Sequence, residues 1–285
     1  MVQPIAEALR ERLILFDGAM GSEIYRRGVF INRCFDALNV QRPEIVEDIH
    51  TAYRNAGAEV LTTNTFGANQ MRLAPFGLSD KVEEINTAAV QLARGVAGDD
   101  MWVAGSMGPL GVPLRPVGKI TPGEAFALFR QQAKVLADNG VDFIILETFA
   151  DLNVLWQAGR AGKSVCDLPI ITSVTFPPER PDLEIRASTL MTPESAVKTI
   201  AAWNVAALGA NCSMGPKGLL EIVRRMSSVT DLPIVAMPNA GMPQTVESRT
   251  LFLASPEYMA ENARRLAQVG ARGIGGGCGT TPEMI

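Results

Sequence analysis

Histidine occurs once in 285 residues, so acid–base or metal chemistry built on several imidazoles is excluded. Cysteine is almost as scarce. Its four copies, Cys34, Cys166, Cys212 and Cys278, are widely scattered with no CxxC unit, which argues against a disulfide framework and leaves metal or catalytic use open. Lys and Arg (26) fall short of Asp and Glu (30) and form no basic run, so nucleic acid is not an expected partner. No stretch approaches the roughly 18 uninterrupted apolar residues of a membrane span. The start, Met1-Val2-Gln3-Pro4, lacks the basic and apolar regions of a signal peptide, which leads to the expectation of a cytoplasmic protein with no membrane partner.

Neither a linker nor a low-complexity segment interrupts the chain, so residues 1–285 read as one domain. Eight short apolar runs are present: Leu13 to Phe16, Glu59 to Thr63, Trp102 to Gly105, Asp142 to Leu146, Pro169 to Val174, Ala206 to Ala210, Pro233 to Met237 and Ala271 to Gly275. Each is too short for a helix and nearly continuous in hydrophobicity, as parallel strands buried on both faces are. Helix-length amphipathic stretches separate them, for example Glu44 to Tyr53 and Glu124 to Asn139. The alternation predicts an α/β fold, a (β/α)8 TIM barrel.

Helix starts share one chemistry: Thr121-Pro122-Gly123-Glu124, Thr192-Pro193-Glu194, Ser255-Pro256-Glu257 and Thr281-Pro282-Glu283. Thr or Ser caps an amide, Pro occupies the first turn where its missing N–H costs nothing, and Glu meets the positive end of the dipole. The last of these leaves only Met284 and Ile285 after Glu283, so the eighth helix is expected to be missing or truncated and the chain to be part of a longer one or of a multi-component system. Phe176 to Pro181, rich in proline, reads as a long loop on the functional rim.

In such a barrel the active site lies at the carboxyl ends of the strands. Those ends carry Asp17-Gly18-Ala19-Met20-Gly21, Thr62 to Phe66, Ser106 to Pro109, Glu147-Thr148, Thr175, Asn211-Cys212, Pro238 to Gly241 and Gly276 to Gly279. A carboxylate at the end of an apolar strand is costly unless a cation or hydrogen bonds satisfy it, so Asp17 and Glu147 together suit a substrate ammonium. The Gly18 and Ala19 amides suit a substrate carboxylate. Ser106 and Asn239, also at strand ends, complete the candidate substrate contacts. Cys212 and Cys278 supply soft ligands, and Zn²⁺ is the usual ion for such thiolates; bound to a substrate thiol, it favours the nucleophilic thiolate.

Taken together, Phe16 to Gly21, Leu38-Asn39 with Arg42-Pro43-Glu44, Thr62 to Phe66, Ser106 to Pro109, Leu146 to Thr148, Gly209 to Cys212, Pro238 to Gly241 and Gly275 to Pro282 resemble the homocysteine S-methyltransferase family over nearly the whole chain. The Asp-Gly-Ala-Met-Gly form resembles the branch formed by homocysteine-binding domains of cobalamin-dependent methionine synthases. The resemblance implies a zinc-dependent S-methyltransferase that activates homocysteine, or a related thiol, to give methionine. It further implies methylcobalamin as a possible donor on another domain or protein, and a corrinoid- or folate-binding domain as partner. Family members hold zinc with three cysteines, the last two adjacent; here Gly277 stands at the first of that pair, leaving Cys212 and Cys278. The alternative is a variant barrel with a lost or weakened zinc site that binds an amino acid or a corrinoid partner, or acts on a different methylated substrate.

The remaining candidates read as structural. His50 lies mid-helix, Cys34 in loop packing and Cys166 at the opposite pole, while Met20, Met107, Met214 and Met237 read as core filling. Gly275 to Gly279 could cradle a phosphate, but no Lys or Arg accompanies them.

Overall fold

The computed structural model describes residues 2–176, 191–246 and 249–285. Its eight parallel barrel strands are β1 (Ile14–Leu15), β2 (Val60–Thr62), β3 (Trp102–Met107), β4 (Phe143–Phe149), β5 (Ile170–Val174), β6 (Ala207–Asn211), β7 (Ile234–Met237) and, after the antiparallel hairpin β8 (Gln244–Val246) and β9 (Arg249–Leu251), β10 (Ala271–Ile274). Hydrogen bonding runs β1-β10-β7-β6-β5-β4-β3-β2, and a parallel bridge between Phe16 and Val60 closes the ring. The helices are α1 (Ile5–Glu11), α2 (Met20–Arg26), α3 (Leu38–Gln41), α4 (Pro43–Ala56), α5 (Gln70–Leu73), α6 (Val82–Ala97), α7 (Pro122–Asp138), α8 (Leu152–Lys163), α9 (Pro193–Ala201), α10 (Pro216–Ser227) and α11 (Pro256–Gln268).

Two apolar layers follow from strands buried on both faces. Inside the barrel, Ile14, Phe16, Val60, Trp102, Phe143, Ile145, Ile171 and Val235 pack with Ile5, Ala8 and Leu9 of α1. That helix, which the sequence reading leaves unassigned, plugs the amino-terminal end of the barrel, and the Trp102 indole N–H donates to Gln3 O at 2.8 Å. Outside, the other strand faces pack on the covering helices, with Ile144, Leu146, Leu208 and Ala236 against residues such as Phe129, Leu136 and Leu155.

The capping chemistry is found at Thr121, which forms a reciprocal capping box with Glu124, and at Thr192, whose box partner is Ser195. Glu194 instead forms a two-pronged ion pair with Arg225 at 2.6 and 2.7 Å. Ser255 caps α11, and Thr281 precedes a single 3-10 turn, Pro282–Met284, packed against α4 and α11.

Three strands run past the predicted ends, placing Ser106, Glu147, Thr148 and Asn211 inside β3, β4 and β6. Polar side chains continue the ladder there: Thr63 Oγ1 accepts the Ser106 N–H, and the Asn211 amide group holds Thr148 across a register shift in β4. Phe176 is buried, and the rest of the proline-rich segment lies outside the described residues.

Candidate functional site

Asp17 follows β1 directly and is almost wholly buried, with its carboxylate held by β2: Thr62 N donates to Oδ2 at 2.6 Å and Thr62 Oγ1 to Oδ1 at 2.7 Å. Burial outweighs those bonds and, with the Glu147 charge adding to it, raises the Asp17 pKa to about 7. Glu147 accepts a short bond from Ser106 Oγ at 2.5 Å, and burial raises its pKa as well. Neither carboxylate forms an ion pair among the described residues. A buried carboxylate and a half-buried one thus lie near each other with no cation beside them among the described residues, a costly arrangement.

Cys212 and Cys278 come together across the end of the barrel, close enough that each shifts the titration of the other. Cys212 is lowered to about 6, chiefly by Cys278 and further by the Ser213 backbone and Asn239 side chain. Cys278 is raised by that same contact, by desolvation and by the charges of Cys212 and Glu147. Glu147 in turn is raised by Cys212, so carboxylates and thiols belong to one electrostatic neighbourhood. Cys212 and Ser213 both take left-handed backbone (φ 60° and 59°), turning the chain sharply at the end of β6.

Among the described residues no third His, Cys, Asp or Glu joins these thiols in a metal-binding cluster. Asn239 lies between the two cysteine loops. Its Oδ1 accepts the Cys278 N–H at 3.0 Å and its own N–H donates to Met214 O at 3.1 Å. A Cβ at Gly277 would fall 2.6 Å from that Oδ1 and 3.0 Å from Met237 O, so Asn239 fills the space beside the glycine. The two thiols are one protein ligand fewer than the three that hold a catalytic zinc ion.

The first loop is pinned by residues the sequence reading did not single out. Thr280 Oγ1 accepts the Ala19 N–H at 2.9 Å, and Tyr53 OH donates to Ala19 O at 3.0 Å. The Ala19 amide is therefore engaged by the protein itself, which corrects its reading as a free donor; Gly18 N has no such bond among the described residues. In the glycine run, Gly275, Gly276 and Gly277 donate to Ala236 O, Asp17 O and Pro238 O, Cys278 N to Asn239 and Gly279 N to Ser22 Oγ. With each of these amides committed, the loop does not form a phosphate cradle.

Asn39 and Asn64 of the sequence motifs act as scaffold: Asn39 Nδ2 donates to Asn64 O, and Asn64 Nδ2 to Phe35 O and Asn39 Oδ1. Cys34 packs against the small cluster of Ala37, Ala68, Leu73, Val82 and Ile85, and Cys166 against the outer core. His50 is fully buried, and burial lowers its pKa to about 4. Met237 joins the interior cluster and Met107, Met20 and Met214 the outer one. Thr62 announces itself only as one of several threonines at the end of β2.

A parallel barrel whose strand ends bring a carboxylate pair beside a thiol pair has the architecture of the (β/α)8 enzymes. Homocysteine S-methyltransferase is the family whose profile matches residues 14–285, and the chain belongs to that family. It is 30% identical to the methionine synthase of Mycobacterium leprae over 99% of its own length and to that of Mycobacterium tuberculosis over the same share. It spans about a quarter of those relatives, 24% and 25% respectively. Among solved structures, the metallated homocysteine methyltransferase MmuM from Escherichia coli superposes with a TM-score of 0.78 at 24% identity, covering 99% of this chain and 98% of that one. The carboxyl transferase domain of Rhizobium etli pyruvate carboxylase shares the fold more distantly, with a TM-score of 0.58 at 14% identity over 95% of this chain and 41% of that one. No helix among the described residues is long and apolar enough to cross a membrane.

Proposed function

We propose that this barrel is a zinc-dependent S-methyltransferase module that binds homocysteine, or a closely related thiol, and presents its sulfur for methylation to methionine. The observation that carries the reading is the union of buried Asp17 and half-buried Glu147, without a cation among the described residues, with the thiol pair Cys212 and Cys278 in one electrostatic neighbourhood.

Asp17 takes the substrate ammonium in its ionised form, oriented by the two bonds from Thr62. Glu147, oriented by Ser106, faces the same charge. The Gly18 amide serves the substrate carboxylate, and Asn239 steadies both cysteine loops. Cys212 and Cys278 would hold zinc, which when bound favours the thiolate form of a substrate thiol at neutral pH. The substrate sulfur forms a bond to the methyl carbon as the carbon–donor bond breaks, the electron pair leaving with the donor. Methylcobalamin on another domain or protein would supply the methyl group, and a corrinoid- or folate-binding domain would be the partner. The fourfold greater length of the methionine synthases supports that placement. A cytoplasmic setting accords with four cysteines that stay free.

Gly277 favours one second reading, a barrel with a weakened metal site that binds an amino acid or a corrinoid partner without thiol activation, or acts on another methylated substrate. Metal analysis under reducing conditions separates the two. Stoichiometric zinc in the presence of homocysteine, lost in Cys212→Ser, is the expected result; no zinc even with homocysteine overturns the zinc-dependent reading.

A further inference from the structure

Glu147 and Cys212, at the two ends of the proposed ligand site, are each followed or preceded by a residue of one hydrogen-bonded clamp. Thr148, after Glu147, lies in left-handed backbone at φ 64°, a conformation that a β-branched residue disfavours. Asn211, before Cys212, grips it twice: Thr148 N donates to Asn211 Oδ1 at 3.0 Å and Asn211 Nδ2 donates to Thr148 Oγ1 at 2.7 Å. Ser173 Oγ of the intervening strand β5 also donates to Asn211 Oδ1, at 2.8 Å. The grip spans β4 and β6, which are not adjacent in the sheet. One residue further along, Ser213 and Thr175 hydroxyls bond at 2.5 Å and fix the turn that carries Cys212.

Asn211 is almost wholly buried, and its amide points across the sheet to Thr148 and Ser173. We infer that Asn211 is a positioning residue. It holds Thr148 in its strained conformation and thereby fixes the offset between Glu147, which meets the ligand amine, and Cys212, at the thiol end. The inference rests on the proposed function, since it takes those two residues as the two ends of one ligand site. An asparagine is needed because one side chain must accept from a backbone N–H and donate to a hydroxyl in the same plane.

A clamp of this kind matters to a ligand that bridges both ends and not to one that uses a single end. Calorimetric binding of homocysteine, of mercaptobutanoate (no amine) and of aminobutanoate (no thiol) to the reduced, zinc-supplemented protein reads this directly. Asn211→Ala is expected to weaken homocysteine about tenfold or more while changing the half-ligands little. In the Asn211→Ala background, Thr148→Gly, which reaches a left-handed φ without strain, should recover part of the loss and show coupling in a double-mutant cycle. Equal weakening of all three ligands, or no weakening of homocysteine, overturns the inference. If the unsubstituted protein does not prefer homocysteine to its halves, the proposed function fails instead. The clamp is then judged by hydrogen exchange at the Thr148 amide: loss of protection in Asn211→Ala supports it, and retained protection overturns it.

Discussion

The side-chain oxygen of Asn239 lies 2.6 Å from the point where a side chain on Gly277 would begin. A side chain at that position must therefore displace the Asn239 amide that holds the Cys278 N–H.

Returning a thiol to that position sets two effects against each other. Gly277→Cys adds a third soft ligand and is expected to tighten zinc by about tenfold or more, at least about 1.4 kcal/mol. It also pushes Asn239 away from Cys278 N, so the metal-free variant should unfold at lower denaturant than the parent. Competition with a chelator measures the first effect and urea unfolding the second. Unchanged zinc affinity would mean that residue 277 does not face the ion.

Asp17 makes ligand affinity pH-dependent. Its folded pKa of about 7 lies above the ordinary 3.8, so the folded protein holds a proton that the unfolded chain has released. Its stabilising contribution is complete below about pH 4 and declines as the pH rises through 7. An ammonium ligand selects the ionised form and expels that proton, so affinity should climb between pH 5.5 and 7, by up to about tenfold per unit, and then level off. Titration calorimetry in two buffers of different ionisation enthalpy would detect the released proton. Asp17→Asn should weaken binding and flatten the slope; a flat profile for the parent contradicts the assignment.

Gly18 has no room for a side chain. A Cβ there would come within 2.7 Å of Tyr53 OH and 2.8 Å of Thr280 Oγ1, the two groups that hold the Ala19 peptide. Gly18→Ala should cost about 1–3 kcal/mol of stability by overpacking, and it should weaken homocysteine by displacing the first loop. Urea unfolding that superimposes on the parent's would refute the close packing.

At the opposite end, Leu9 is fully buried inside the barrel. Leu9→Ala should cost about 2–5 kcal/mol and leave homocysteine affinity unaltered, because the cavity lies beneath the reacting groups. A parallel fall in affinity would show that α1 reaches further into the site than its packing indicates.

The eight barrel strands were legible because burial on both faces leaves little choice but continuous apolar runs, such as Phe143 to Leu146. Asp17, Glu147, Cys212 and Cys278 were legible as polar or soft residues closing such runs. The hairpin of β8 and β9 was not, with only three residues per strand and no long apolar signal. Helix α1 was missed although Ile5, Ala8 and Leu9 have helical spacing, because a seven-residue segment before the first strand is not part of the alternating pattern. The work of Thr62, Thr280 and Asn211 was hidden for a different reason. Their partners are distant in the chain, 63 positions away for Asn211 and 261 for Thr280, and only closure of the barrel brings them together.

The plug formed by α1 also bears on the order of events. Among the described residues, Ile5, Ala8 and Leu9 close the floor beneath the carboxylates and thiols, which lie at the carboxyl ends of the strands. Under the proposed function, a methyl donor that covers those strand ends would have to dock after the amino acid has entered and withdraw before the product departs. A closed floor would thus turn a site whose chemistry alone allows either reactant first into one with a set order of arrival and departure.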